Sequence, residues 1–282
     1  MNDNWGSPTI RANKDGYLEN HGPMFANNPF AELSASIPPS VIKTYVIVMI
    51  LLVVAGTIFD VLHKKSAKYF FDNWQKAKNK GSKQVGGGEL ASLAIQTALA
   101  EVLTSSEFCT TRRRISHLLT MYGFLAYIIA TVIMVFGYPT PDTPAPAIVP
   151  LLWYMGALMV CVGGYWFWFF IRVDVAAEGN SPFRVVRADL FILSLLASVT
   201  LALVWSMLQA TGVAWLFFGL YVFATTVLFG SVPWSKFAHM FFKPAAAFQK
   251  RVAEADGSRG NLPAPADKPE TFGSPNRLPQ NY

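Results

Sequence analysis

The chain has 282 residues, 52% of them hydrophobic and only 14% charged, with a formal net charge of +6. Soluble domains carry about 25% charged residues, and here the charges gather in blocks between long uncharged stretches, which excludes an ordinary soluble fold with a large core and points to helices in a bilayer. The positive charge does not point to nucleic acid, because the basic residues lie beside hydrophobic stretches where topology and lipid headgroups account for them; the two cysteines, Cys109 and Cys161, are too few for an iron–sulfur framework.

Residues 1–40 are a polar N-terminal tail with no apolar signal-peptide core, and Met24, opening MFANNPF, is an alternative start. A hydrocarbon layer of roughly 30 Å needs about 20 apolar helical residues. Five stretches meet that length: about Val41 to Leu62 (41–62), Ile115 to Tyr138 (115–138), Ile148 to Ile171 (148–171), Leu190 to Leu208 (190–208) and Val213 to Val232. The fifth is expected to carry an inner extension to residue 243, with Pro233 kinking it as it continues. Lipid demands internally bonded backbone, so the fold class is an all-α integral membrane protein, a bundle of five transmembrane helices. Trp153, Tyr154, Trp166, Trp168, Trp205 and Trp215 fall near the expected span ends, as an aromatic belt does.

Orientation follows from lysine and arginine. The loop 63–114 holds ten of them, including Arg112, Arg113 and Arg114; the loop 172–189 holds Arg172, Arg184 and Arg187, and the C-terminal tail holds seven, starting with Lys236 and Lys243. Only Arg11, Lys14 and Lys43 of the 23 lie elsewhere. The positive-inside rule makes the rich side cytoplasmic, giving an N-terminus outside and a C-terminus in the cytoplasm. Within the first loop, Glu89–Phe108 reads as an amphipathic helix that rests on the membrane surface, docks a partner or simply packs the loop. From Val252 to residue 282 the composition, rich in Pro, Gly, Asp and Asn, predicts disorder.

Histidine carries what chemistry the sequence offers. His21 lies in the polar tail, whereas His63 ends the first span, His117 opens the second and His239 follows the fifth. Ionisable groups at a membrane are costly and mark candidate sites, and imidazole is an axial ligand of haem iron. A bis-histidine haem needs two imidazoles at one depth on different helices, a condition His117 and His239 meet. Gly123 and Gly230 are small enough for a macrocycle to approach the backbone, and Arg112, Arg113, Arg114 and Lys236 are cations for propionates. The alternative is that all three histidines are hydrogen-bonded interfacial residues. Asp60 ends the first span and Asp189 opens the fourth; Asp174, Glu178, Arg184 and Arg187 crowd one loop, as an ion-pair cluster, a partner dock or a quinone-adjacent site. Cys161, among small residues (VCVGGY), reads as a helix-packing position.

The stretches RRRISHLLTMYGF and VPWSKFAHMFFKP resemble the cytochrome b membrane subunits of the nitrate reductase gamma family, over roughly residues 41–245. Within that family the segments MFANNPFAEL, DVLHKKSAKYFFDNW and GGYWFWFFIRVDVAAEGNSPFRVVRADL are most like the membrane anchors of adenylylsulfate (APS) reductases of sulfur-oxidising bacteria. The resemblance implies one haem b held by His117 and His239 near the cytoplasm. It also implies quinone as electron acceptor or donor and a cytoplasmic oxidoreductase partner, the APS reductase alpha and beta subunits, in the bacterial inner membrane. Two-haem relatives carry further histidines in the second and fifth spans; this chain has none there, with Leu220, Tyr221 and Val222 in the fifth. The implied role is a non-catalytic electron-transfer subunit. His63 remains an alternative ligand or a partner for a propionate or a quinone carbonyl. An anchor without haem is the second reading. A small transporter is the third, and it needs midplane features these spans lack.

Overall fold

The structure, a computed structural model, describes residues 11–12, 18–19, 25, 27–63, 66–81, 83–106, 108, 110–172, 183, 185–186, 189–234 and 239–258. It divides into two units, residues 1–63 with 104–239, and residues 64–103 with 240–282.

The first unit is built on apolar helices. α2 (Pro39–His63), α5 (Thr111–Gly137), α6 (Ile148–Trp166, prolonged by a π-helical turn Phe167–Ile171) and α7 (Leu190–Met207) are each long and apolar enough to cross a membrane. α8 (Ala214–Gly230) is equally apolar but shorter, with 17 residues; at 1.5 Å per residue it rises about 26 Å. Many of the large apolar side chains of these helices face outward, among them Leu51, Leu62, Val162, Leu216 and Phe223. An outward apolar surface of this extent is solvated by hydrocarbon and not by water, so the chain is a membrane protein.

Side-chain pairings give the helix directions. Gly123 of α5 meets Gly156 of α6 while Ser116 meets Gly163, so these two run antiparallel. Gly164 touches Leu196 while Cys161 and Tyr165 reach Thr200, so α6 and α7 are antiparallel. Ser198 bonds Thr225 while Trp205 stacks on Tyr221, making α7 and α8 antiparallel. Tyr45 bonds the Val222 carbonyl, and Gly56 lies against Val232 and Pro233, so α2 runs parallel to α8. The alternation brings His63, the start of α5, Arg172, Asp189 and the end of α8 to one end of the bundle.

The α5–α6 seam explains how closely two of these helices approach. Ser116 and Gly123 are seven residues apart, as are Gly156 and Gly163, and a seven-residue repeat keeps one face of each helix toward its neighbour. A Cβ at Gly123 would lie 2.7 Å from the Gly156 carbonyl oxygen, and one at Gly163 would lie 2.7 Å from the Ser116 oxygen. Gly123 therefore serves helix packing, which corrects the expectation that it faces a macrocycle; a Cβ at Gly230 would meet nothing within 4 Å.

The far end of the bundle departs most from expectation. The end of the polar tail, Asn28–Leu33, enters the core. Asn28 caps the short helix α1 (Pro29–Glu32), accepting from the Phe30 N–H at 3.0 Å, and its amide donates to the Tyr138 carbonyl at 2.7 Å. Gln209 donates to the Pro29 carbonyl at 2.7 Å. These bonds seat Phe30 edge-on against Trp153, with centroids 5.9 Å apart, and 5.6 Å from the Trp205 ring. Trp153 and Trp205 are 0% and 1% exposed, and Tyr154 is buried beside them. These three are core residues and not an aromatic belt; hydropathy gives depth along a span but not which face a ring takes. Earlier in the tail, Arg11–Ala12 pairs antiparallel with Leu18–Glu19 (β1 and β2), Arg11 opposite Glu19.

The stretch expected to be a fifth span also differs. α8 ends at Gly230, Ser231 turns, and Val232–Trp234 forms a 3-10 turn. Pro233 thus lies in a break, not in a kinked continuation to residue 243; without an N–H it cannot extend the ladder. The next described residue, His239, opens a separate helix, α9 (His239–Ala255).

The second unit holds α3 (Ser66–Lys80), α4 (Gly87–Thr97, prolonged as a π-helix over Ala98–Leu103) and α9 from residue 240. Trp74 stacks between Phe70 and Phe248, at 6.1 and 5.7 Å. Arg251 pairs with Glu101 at 3.0 Å, and the Lys83 N–H donates to the Asp256 carbonyl at 3.2 Å. The helix expected over 89–108 therefore starts earlier and stops at Leu103. The expected disorder from Val252 is corrected as far as residue 258: α9 runs to Ala255, Val252 and Ala253 are buried, and one turn earlier Phe248 stacks on Trp74 of α3.

Candidate functional site

The site is built at the start of α5. The basic run Arg112–Arg114 occupies its first turn, and His117 follows on the next, half-buried. The preceding segment folds back over it. Arg114 Nε donates to the Thr104 carbonyl at 2.7 Å, the Phe108 N–H donates to the Ser105 carbonyl at 3.3 Å, and Ser105 turns inward until it is 1% exposed. Ser105 Oγ then lies 3.1 Å from His117 Nδ1, and the Phe108 ring lies 4.9 Å from the imidazole, tilted by 43°. Next to His117, Ser116 donates to the Gly163 carbonyl at 2.8 Å, fixing the helix to α6 at the level of the imidazole.

The other expected site residues are placed less closely. His63 ends α2 exposed, stacked on Phe59 one turn earlier at 5.3 Å and 7°. Arg113 and Arg114 are half-buried, and Arg114 has already committed one donor to the chain. His239 is described only as the first residue of α9; its side chain, and Lys236 altogether, lie outside the described residues, as do His21, Cys109, Asp174, Glu178, Arg184 and Arg187. Among the described residues no three histidine, cysteine or carboxylate side chains come together as a metal site.

At the same end Arg172 and Asp189 form a nearly buried ion pair. Arg172 Nε donates to Asp189 Oδ1 at 3.1 Å, Nη2 donates to Oδ2, and the Val186 N–H adds a bond to Oδ2 at 2.8 Å. The guanidinium also covers the Trp168 ring at 4.1 Å. The carboxylate is thus held by arginine instead of capping its own helix, and arginine suits the role because its planar fork both pairs and stacks. Asp60, on α2, is buried.

Farther from His117 several buried polar side chains of the bundle pair with one another. Tyr127 donates to Tyr221 at 3.0 Å, Trp153 Nε1 to Thr131 at 3.0 Å, and Ser198 and Thr225 share a bond of 2.7 Å. Cys161 Sγ lies 3.7 Å from Thr200 Oγ1 between α6 and α7, a packing position. Sequence reasoning missed Ser105 and the plug around Phe30. The signal for Ser105 was the polar break TSSEF between an apolar helix and the arginine run. The plug had none, because NNPF reads as any polar turn.

No protein-family model, curated protein or solved structure matches this chain.

Proposed function

We propose that the chain is the membrane anchor and electron-transfer subunit of a cytoplasmic oxidoreductase, linked to the quinone pool through one haem b. The observation that carries this reading is His117: a half-buried imidazole one turn inside an apolar helix, with Nδ1 against a buried hydroxyl. Histidines that bind metals through one nitrogen commonly engage the other in such a bond, which orients the ring and raises its basicity. His117 and His239 are the axial pair in this reading, with Arg113, Arg114 and Lys236 for the propionates and His63 as the alternative ligand. When bound, the haem supplies a one-electron carrier at that end of the bundle. The chain's own part is to hold the imidazole rigidly: Ser116 ties α5 to α6, and Ser105 and Phe108 contact the ring. The opposite half of the bundle is filled by Phe30, Trp153, Trp205, Tyr127 and Tyr221, so the reading assigns no second haem.

The reading has five spans, α8 being the fifth and completed by its following turn, in a bacterial inner membrane. The ends carrying the arginine run and Arg172 face the cytoplasm, since the turns at 138–147 and 208–213 hold no lysine or arginine. The resemblance to APS reductase anchors supplies the partner: its alpha and beta subunits oxidise sulfite with AMP to adenylylsulfate, releasing two electrons, and quinone takes two electrons and two protons. The test uses native membranes containing the chain. Adding sulfite and AMP should reduce a b-type absorption, and quinol should accumulate. Co-purification of the partner without any b-type band would make the chain a passive anchor, and neither partner nor band would refute the proposal.

A further inference from the structure

Among the described residues Ser105 alone, of those other than glycine, has a positive φ, at 48°. L-residues avoid that region because Cβ crowds the carbonyl oxygen, and a turn that merely needs the shape takes glycine or asparagine. A serine kept there is held by what its side chain does. Its hydroxyl is buried against His117 Nδ1 at 3.1 Å, and the turn is closed on both sides by the Arg114–Thr104 and Phe108–Ser105 bonds.

We infer that Ser105 is the positioning residue of His117, its hydroxyl accepting the Nδ1 proton so that Nε2 is the ring nitrogen offered to iron. The inference rests on the haem reading above. The bond does two things that packing alone does not. It selects the tautomer, and it pushes electron density toward Nε2, making a better ligand for ferric than for ferrous iron. The Phe108 ring supports it by limiting rotation of the imidazole.

Glycine and asparagine substitutions separate the bond from the fold. Ser105→Gly accepts a φ of 48° without strain but removes the hydroxyl; Ser105→Asn tolerates the same φ and restores a side-chain acceptor. Both are compared with the unaltered full chain in detergent, reading thermal unfolding, haem dissociation and the midpoint potential. Ser105→Gly should unfold at the same or a higher temperature, release haem roughly 10–100-fold more readily and show a raised potential. Ser105→Asn should recover part of both losses. Haem affinity and potential unchanged in Ser105→Gly overturn the inference while leaving the haem reading intact. So does a Ser105→Asn that falls as far as Ser105→Gly. An unaltered chain with no b-type band overturns both.

Discussion

Replacing Gly163 with alanine, and separately its neighbour Gly164, sets two opposed effects against each other on adjacent residues of one helix. Either substitution adds helix propensity worth about 0.8–1 kcal/mol. A Cβ at Gly163 would stand 2.6 Å from Thr120 Oγ1, 2.7 Å from the Ser116 oxygen and 2.9 Å from Leu119 Cβ. The Ser116 oxygen is backbone and cannot swing away, so α5 and α6 must separate. Overpacking of this kind costs about 1–3 kcal/mol, leaving Gly163→Ala neutral to roughly 2 kcal/mol less stable. At Gly164 the contact is the Leu196 side chain, Cδ2 at 2.7 Å and Cγ at 3.3 Å, which can rotate. Gly164→Ala should therefore be neutral to about 1 kcal/mol more stable. Domains of 150–250 residues shift by about 2–4 °C per kcal/mol, so unfolding in detergent followed by circular dichroism should place Gly163→Ala below Gly164→Ala, by up to about 6–12 °C for the full gap of about 3 kcal/mol. Because Ser116 precedes His117, Gly163→Ala should also weaken the b-type band that the proposed haem would give. Gly164→Ala unfolding at or below the temperature of Gly163→Ala would refute the packing argument.

Three further outcomes follow from the same structure. Arg172→Met alone strands the buried Asp189 carboxylate and should cost about 3–5 kcal/mol, whereas Arg172→Met with Asp189→Leu should recover most of that loss in the same melting assay. Phe30→Ala empties the space between Trp153 and Trp205 and should cost about 3–5 kcal/mol, a loss that a solvated tail residue would not show. A double-mutant cycle of Ser198→Ala and Thr225→Val should give a coupling of about 0.6 kcal/mol, the usual size of an interhelical hydrogen bond in membrane bundles.

How far the sequence carried these conclusions differs by feature. Long apolar runs between charged blocks mark α2, α5, α6 and α7 to within a few residues, because hydrocarbon thickness imposes a length. The break after Gly230 was less legible: Pro233 permits either a kink or a stop, and only the packing of Val232 and Pro233 on Gly56 decides between them. Phe30 looked like a tail residue because burial at a bundle end depends on a cap, Asn28, whose partners are 110 and 2 residues away. Trp153 and Trp205 were misplaced because a span of uniform hydropathy carries little amphipathic signal to distinguish lipid from core. At the candidate site, the position of His117 one turn inside α5 is legible, but its hydrogen-bond partner Ser105 is not: a hydroxyl twelve residues earlier finds an imidazole only through a turn with φ of 48°.

The central claim is tested most directly by reduced-minus-oxidised absorption spectra of the purified chain with His117→Ala and His239→Ala variants. The account predicts a b-type band in the unaltered protein that both substitutions abolish while the helical circular dichroism persists. A folded unaltered protein without that band, or a band that survives both substitutions, would contradict it.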